Sequence, residues 1–262
     1  MFKINKISKN TFGFPYTKDS FILYKNVTRQ YRDREVLAYV NHLIPSKIKE
    51  EIIMITISRE NKNGISFLKP LLDWFKKDYM KWMNSSYNKT IKCQNCNMLL
   101  HFSITKSNSW KLRMTEVYEC LNCKSSKIVF PRYGEIKRIA DSRIGRCSEW
   151  SILFGALLNS LSIETRIVQD YLDHCWNEAL IENKWIHIDS TLEYPISLNH
   201  PHYYEKNWGK KYKYILAFSY DSVDDVTYSY TNEWQNVQER RSKDNQKKEN
   251  IMESFKNFYT EI

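Results

Sequence analysis

The chain is short of the residues and runs that mark several protein classes. Six cysteines among 262 residues are too few to staple a secreted chain of this length, so a disulfide scaffold is excluded. Glycine and proline are equally scarce, at six each, and no internal repeat or long linker appears. No apolar run approaches the length of a membrane span, and the opening MFKINKISKNTFGFPY lacks the apolar run of a signal peptide. The longest apolar stretch, near residues 151–158, reads as a buried helix. A reducing cytosolic or nuclear compartment with no membrane partner is the simplest expectation. In that setting the acceptor-site matches at Asn26, Asn84 and Asn88 are ordinary polar loops.

Acidic residues are outnumbered, 30 against 40 Lys and Arg, for a formal charge of +10. A basic surface attracts anionic partners without specifying which. The cations are spread along the chain, and acids interrupt the cluster at residues 240–248, so no dedicated nucleic-acid site is expected.

What is present is concentrated in two places. Cys93 and Cys96, then Cys120 and Cys123, form two C-x2-C knuckles separated by twenty-three residues. Four thiolates so spaced can close a tetrahedron around zinc, and a closed shell offers no position to substrate, so the expected metal is structural. Paired disulfides or a redox pair are the weaker alternatives, and His101 is a spare ligand that four cysteines make unnecessary. LLHFSIT and WKLRMTEVYEC, in the spacer, alternate as the strands of a zinc ribbon do.

The second place is residues 143–189. Cys147 opens an apolar helical run in which Trp150, Ile152, Leu153, Leu157, Leu158 and Leu161 recur at three- and four-residue steps. A helix N-terminus favours an anion, which is what a thiol nucleophile needs. Gly145 permits a close approach just before it. Two period-two segments follow. His174, Trp176 and Glu178 share one face of the first, with Cys175 and Asn177 on the other; Trp185, His187 and Asp189 share a face of the second. As antiparallel neighbours these strands bring Asp189 beside His174, leaving the other ring nitrogen for Cys147. A lone cysteine on a helix or histidine in a strand is ordinarily structural; the ordered set of nucleophile, base and orienting acid is what suggests catalysis.

GRCSEW, DHCW, WIHID and WGKKYKYILAFSYDSVDDVT, with the paired knuckles, resemble the cytoplasmic peptide:N-glycanases of the transglutaminase-like superfamily from about Leu68 to Tyr230. The resemblance implies an amidase that removes N-linked glycans from misfolded glycoproteins, with Cys147, His174 and Asp189 as its triad and zinc on the four cysteines. It also implies glycan contacts at Glu178, Glu193, Trp208 and Lys210, and ends of the chain that meet proteasome shuttle proteins, though no residue pattern here carries that last expectation. Ser148 stands where the family usually has glycine, and Cys175 is uncommon in its DHxW position. The adaptor and sugar-binding domains of larger members have no counterpart in these residues.

Elsewhere less is legible. VTRQYRDREVLAYVNHLIP suggests a short helix ending before Pro45, and SKIKEEIIMITISRE a helix or a strand. Phe67 to Trp82 keep helical spacing, ending at Asn84 to Ser86, as core scaffold. Arg132, Arg143 and Arg146 are expected to pair with acids, by default at the surface, and Cys175 to pack in the core or at an edge. The stretch from Ser190 to Tyr214 reads as an aromatic loop, Asp224 and Asp225 as turn or capping residues, and the polar end as one exposed helix. The expected fold class is α+β: one transglutaminase-like, papain-like domain over 1–262, with a helix-borne cysteine, an antiparallel sheet carrying His and Asp, and a zinc-ribbon-like subdomain at 90–130. The rival functions are another transglutaminase-like or papain-like amidase or protease, a non-catalytic DNA-repair scaffold of the same fold, and a bare zinc interaction module.

Overall fold

A computed structural model describes residues 18–58, 64–83, 92–170, 172–243 and 251–261. The sequons at Asn84 and Asn88 and the opening segment lie outside them. The described elements, in order, are α1 (Lys18–Gln30), α2 (Arg34–Leu43), α3 (Ser46–Ile57), α4 (Lys69–Trp74), β1 (Lys81–Trp82), β2 (His101–Ser109), β3 (Leu112–Glu119) and β4 (Lys127–Tyr133). They continue with α5 (Ile136–Ser142), β5 (Ile144–Gly145), α6 (Cys147–Ser160), β6 (Thr165–Asp170), β7 (Cys175–Ile181), β8 (Lys184–Ile188), α7 (Tyr203–Trp208), β9 (Ile215–Phe218), β10 (Val223–Asp225), α8 (Trp234–Ser242) and α9 (Ile251–Glu261).

The centre is α6, buried at every position from Ser148 to Leu158, as an all-round apolar helix must be. It packs on a five-stranded sheet of order β10-β9-β6-β7-β8, antiparallel throughout. Both faces of that sheet are covered. Ile167, Ala179, Ile188, Leu216 and Phe218 face the core that contains α6 and the N-terminal helices. Val168, Trp176, Ile215 and Ala217 face a second, aromatic core with Tyr204, Tyr212 and Tyr230. Gly155 explains how closely α6 can approach: a Cβ there would lie 2.4 Å from the Tyr31 hydroxyl and 2.9 Å from Asn177 Nδ2.

β2, β3 and β4 form a separate three-stranded antiparallel sheet that carries the cysteine knuckles at its end. The fold class and the strand readings over residues 101–119 and 175–189 agree with expectation.

Several local readings need correction. The expected helix before Pro45 is two, because Asp33 turns the chain and caps α2 by accepting the amides of Glu35 and Val36. The segment after Pro45 is helical. The helix from Ser66 stops at Tyr79 rather than running through Trp82. Extended backbone at Met80 lets Lys81 and Met83 donate to the Arg143 and Gly145 carbonyls, at 2.7 and 2.9 Å, so Trp82 pairs beside Gly145 as a strand. The aromatic loop after Asp189 contains α7, and Asp224 and Asp225 sit in β10, Asp225 also accepting from Thr227. The polar C-terminal end is two helices, and Tyr259 of α9 is fully buried against Phe21 and Phe218.

Candidate active site

Cys147 is the first residue of α6 and lies half-buried in the floor of a cleft of about 1080 Å³. Its position is held from two sides. Glu149 accepts the Arg146 amide at 3.0 Å, closing the first turn, and the close approach of Gly145 allows this, since a Cβ there would lie 2.4 Å from Glu149 Cβ. From the other side, the Asp173 carbonyl is 3.8 Å from the Cys147 sulfur.

His174 precedes β7 and Asp189 follows β8, so the register Asn177 to Ile188 brings them together across the strand ends. His174 Nε2 lies 2.7 Å from Asp189 Oδ2, and His174 and Cys147 both line the cleft. The structure thus brings Asp189 against His174, with Cys147 on the same cleft. Burial works against charge on His174, but the Asp189 carboxylate and the Cys147 sulfur outweigh it, and the imidazole is pushed up to about 10. Burial likewise opposes ionisation of Asp189, yet His174 and Thr191 hold it well below the usual carboxylate range. The neighbouring Cys175 and then His174, opposed by burial, hold the Cys147 thiol well below the ordinary thiol range. Both shifts favour the thiolate of Cys147 and the imidazolium of His174.

Asp189 is fully engaged. Its Oδ1 accepts the Thr191 amide and hydroxyl at 2.9 and 2.7 Å, and its Oδ2 accepts the Tyr204 hydroxyl at 2.8 Å. Behind Tyr204 stands His187, which burial pushes down to about 3 and so keeps neutral. Its Nδ1 accepts the His200 amide at 3.3 Å, so its proton is on Nε2, which donates to the Tyr204 oxygen at 2.8 Å. The orientation of Asp189 thus extends through a tyrosine to a second histidine.

The turn before His174 has its own support. Asp170 Oδ1 accepts the amides of Leu172, Asp173 and His174 at 3.1, 2.8 and 2.8 Å. Lys210 clamps it, pairing with Asp170 and, at 2.8 Å, with Asp173. Lys210 and Trp208 both line the cleft, and the Trp208 ring meets His174 edge-on at 5.2 Å. The other two expected contacts lie elsewhere. Glu178 is buried, bound to Arg166 at 2.5 Å and to the Tyr230 hydroxyl at 2.6 Å, and turns both oxygens away from any ligand. Glu193 is exposed beside Lys76 at 3.6 Å, next to the cleft-lining Thr191 and Leu192.

Residues the sequence reading passed over complete the site. Lys76 and Trp82, taken for scaffold, line the cleft. Arg132 and Arg146 do pair with acids, but beneath the surface: fully buried Glu116 of β3 accepts Arg132 Nη1 at 3.1 Å and both Arg146 Nη atoms at 2.8 and 2.7 Å, while Arg132 Nε reaches Glu149 at 2.8 Å. Arg113, also on β3, donates to the Ser148 hydroxyl at 2.9 Å. The knuckle-bearing sheet is thereby bolted to the first turn of α6. Only Asp170, a residue type that favours such turns four positions before His174, left a signal in the sequence. Cys175 is buried as expected, and its sulfur accepts the Ser151 hydroxyl at 3.4 Å, one turn of α6 beyond Cys147.

The four knuckle cysteines can hold a metal ion, their sulfurs lying within 4.8 Å of one another. Cys93 to Cys123 and Cys96 to Cys120 are each 3.4 Å apart and Cys120 to Cys123 3.6 Å, close to the roughly 3.8 Å edge of a tetrahedron with zinc–sulfur bonds of about 2.3 Å. The two knuckles repeat one geometry. Asn97 and Lys124, each four residues after the first cysteine, take left-handed φ of 59° and 54°, and their amides return to the Cys93 and Cys120 carbonyls.

Residues 105–190, which carry the helix-borne Cys147 and the His174–Asp189 pair, match the model of the Transglutaminase-like superfamily. Among curated relatives it is 31% identical over 216 residues to the peptide-N(4)-(N-acetyl-beta-glucosaminyl)asparagine amidase of Caenorhabditis elegans, covering 81% of this chain and 34% of that protein. The amidase of the same name from Yarrowia lipolytica is 37% identical over 169 residues, 61% of this chain and 45% of that protein. The chain thus spans less than half the length of these relatives. In fold it is similar to a chain in the crystal structure of Rad4-Rad23 bound to a 6-4 photoproduct UV lesion, with a TM-score of 0.55 at 14% identity, covering 92% of this chain and 52% of that one.

Proposed function

We propose that the chain is a deglycosylating amidase that cleaves the bond between an N-linked glycan and the asparagine of a misfolded glycoprotein in a reducing compartment. The observation that carries this reading is Cys147 and His174 on one open cleft, with Asp189 holding His174 from behind, in a chain similar to asparagine amidases.

The Cys147 thiolate attacks the side-chain amide carbon of the glycosylated asparagine, and backbone N–H groups at the start of α6 steady the oxyanion. His174 gives its proton to the departing glycosylamine as the thioester forms. Neutral His174 then takes a proton from water, hydroxide attacks the thioester carbon, and the thiolate leaves with aspartate in the peptide. Asp189 keeps the imidazole in one orientation throughout. Trp208 and Trp82, both partly exposed at the cleft, offer flat faces to sugar rings. Zinc on Cys93, Cys96, Cys120 and Cys123 would fix the small sheet and take no part in bond breaking.

The test treats a denatured high-mannose glycoprotein with wild type and Cys147→Ala and reads asparagine-to-aspartate conversion at the glycosylated position. Conversion by wild type alone is expected. No conversion by wild type, or equal conversion by the variant, would refute the proposal.

A further inference from the structure

The nucleophile has an unusual neighbour. Cys175 is the first residue of β7, on the sheet face turned toward α6. Ser151, one helical turn beyond Cys147, has its hydroxyl 3.4 Å from the Cys175 sulfur. The Asp173 carbonyl, two residues before Cys175, lies 3.8 Å from the Cys147 sulfur, and Cys147 and Cys175 each shift the other's thiol, as neighbouring sulfurs do. Access is asymmetric: Cys147 opens on the cleft, whereas Cys175 is buried.

We propose that Cys147 and Cys175 form a reversible disulfide on exposure to peroxide, a modification site that silences the nucleophile and protects it from further oxidation.

The thiolate of Cys147 attacks one peroxide oxygen and breaks the O–O bond; the proton on His174 goes to the departing hydroxide, giving Cys147 sulfenic acid, water and a neutral imidazole. The Cys175 sulfur then attacks the sulfenic sulfur and releases its proton. Hydroxide leaves and takes that proton, so two thiols and one peroxide become one disulfide and two waters. The sulfurs close to a bond length of about 2.05 Å by side-chain rotation and shifts of α6 against β7. Burial of Cys175 means that the oxidant reaches only Cys147, and that a reducing thiol entering the cleft meets the Cys147 sulfur. With a side chain at 175 that cannot resolve the sulfenic acid, oxidation continues to the sulfinic acid, which thiols do not reverse.

The site is that of the proposed amidase, but the readout is a covalent link, visible whether or not the chain deglycosylates. The full chain is treated with hydrogen peroxide, unreacted thiols are blocked, and peptides are mapped by mass spectrometry without reduction. Wild type should yield the cross-linked Cys147 and Cys175 peptides, resolved from any oxidation at Cys93, Cys96, Cys120 and Cys123, and dithiothreitol should return both free peptides. In Cys175→Val the link is absent, Cys147 gains oxygen, and the thiol-recoverable fraction is lost. Wild-type Cys147 gaining oxygen with no link to Cys175, or Cys175→Val recovering free Cys147 as fully as wild type, would overturn the proposal.

Discussion

The attachment of the cysteine-bearing sheet to the start of α6 runs through Glu116, and Glu116→Gln tests it with little change of volume. The native carboxylate is fully buried and accepts from Arg132, twice from Arg146 and from the Tyr118 hydroxyl at 2.7 Å. Two guanidiniums balance it, and burial opposes its charge while Arg146 holds it below the usual carboxylate range. Breaking a buried ion pair by neutralising one partner costs about 3–5 kcal/mol, because the other charge stays buried. Arg132 retains Glu149, which puts the expected loss near the lower end, at about 3 kcal/mol. In a domain of this size, with roughly 2–4 °C per kcal/mol, the melting temperature should fall by about 6–12 °C. The loss should be followed by thermal unfolding in near-ultraviolet circular dichroism, with alkylation of Cys147 read in parallel, since the loosened residues include the cap of its helix. A melting point within about 2 °C of wild type would show that the network carries no net stability and refute the reasoning.

The remaining predictions concern the histidine and the metal. Asp189→Asn removes the acceptor that fixes the His174 tautomer and should lower turnover by roughly 10³–10⁴-fold, the order seen when other triads lose their acid; turnover within about tenfold of wild type would contradict the assigned role. The same variant should be less stable at neutral pH. A raised imidazole contributes stability that is fully present below its ordinary value, about 6.5, and is lost as pH rises through about 10. The gap between variant and wild type in denaturant melts should therefore narrow across that interval; a gap that widens would contradict it. Cys93→Ser should lower bound zinc and the melting temperature together and, because Glu116, Arg113 and Arg132 tie this sheet to α6, should also alter Cys147 alkylation. Unchanged zinc content and melting would refute the metal assignment.

How far the sequence could be read follows from the range of the interactions. The knuckles, the apolar run of α6 and the two alternating segments ending in Asp189 are local patterns, and each became the expected element. Even the meeting of His174 with Asp189 was legible, because a two-residue turn at Glu182 and Asn183 fixes the register of β7 on β8. Trp82 was misread because its spacing continues a helix whose end is decided by backbone pairing with Gly145, sixty-three residues away. Glu178 lies on the expected strand face, but that face is sealed by Tyr230 and Arg166, partners from distant segments. Default surface pairing failed for Arg132 and Arg146 because their acids come from β3 and α6, and nothing in a local window shows that two elements will bury a common ion cluster. Tyr204 is one tyrosine among eighteen, and no pattern marked it as the residue that joins Asp189 to His187.

The most direct test of the central claim is the rate of Cys147 carboxymethylation by iodoacetate as a function of pH, in wild type and in His174→Ala, with the modified peptide identified by mass spectrometry. If His174, backed by Asp189, holds the sulfur as a thiolate, the wild-type rate should stay on its plateau well below the ordinary thiol value of about 8.5. The variant should shift the inflection upward toward that value. A wild-type profile that titrates near 8.5, or one that removal of the imidazole leaves unmoved, would contradict the account.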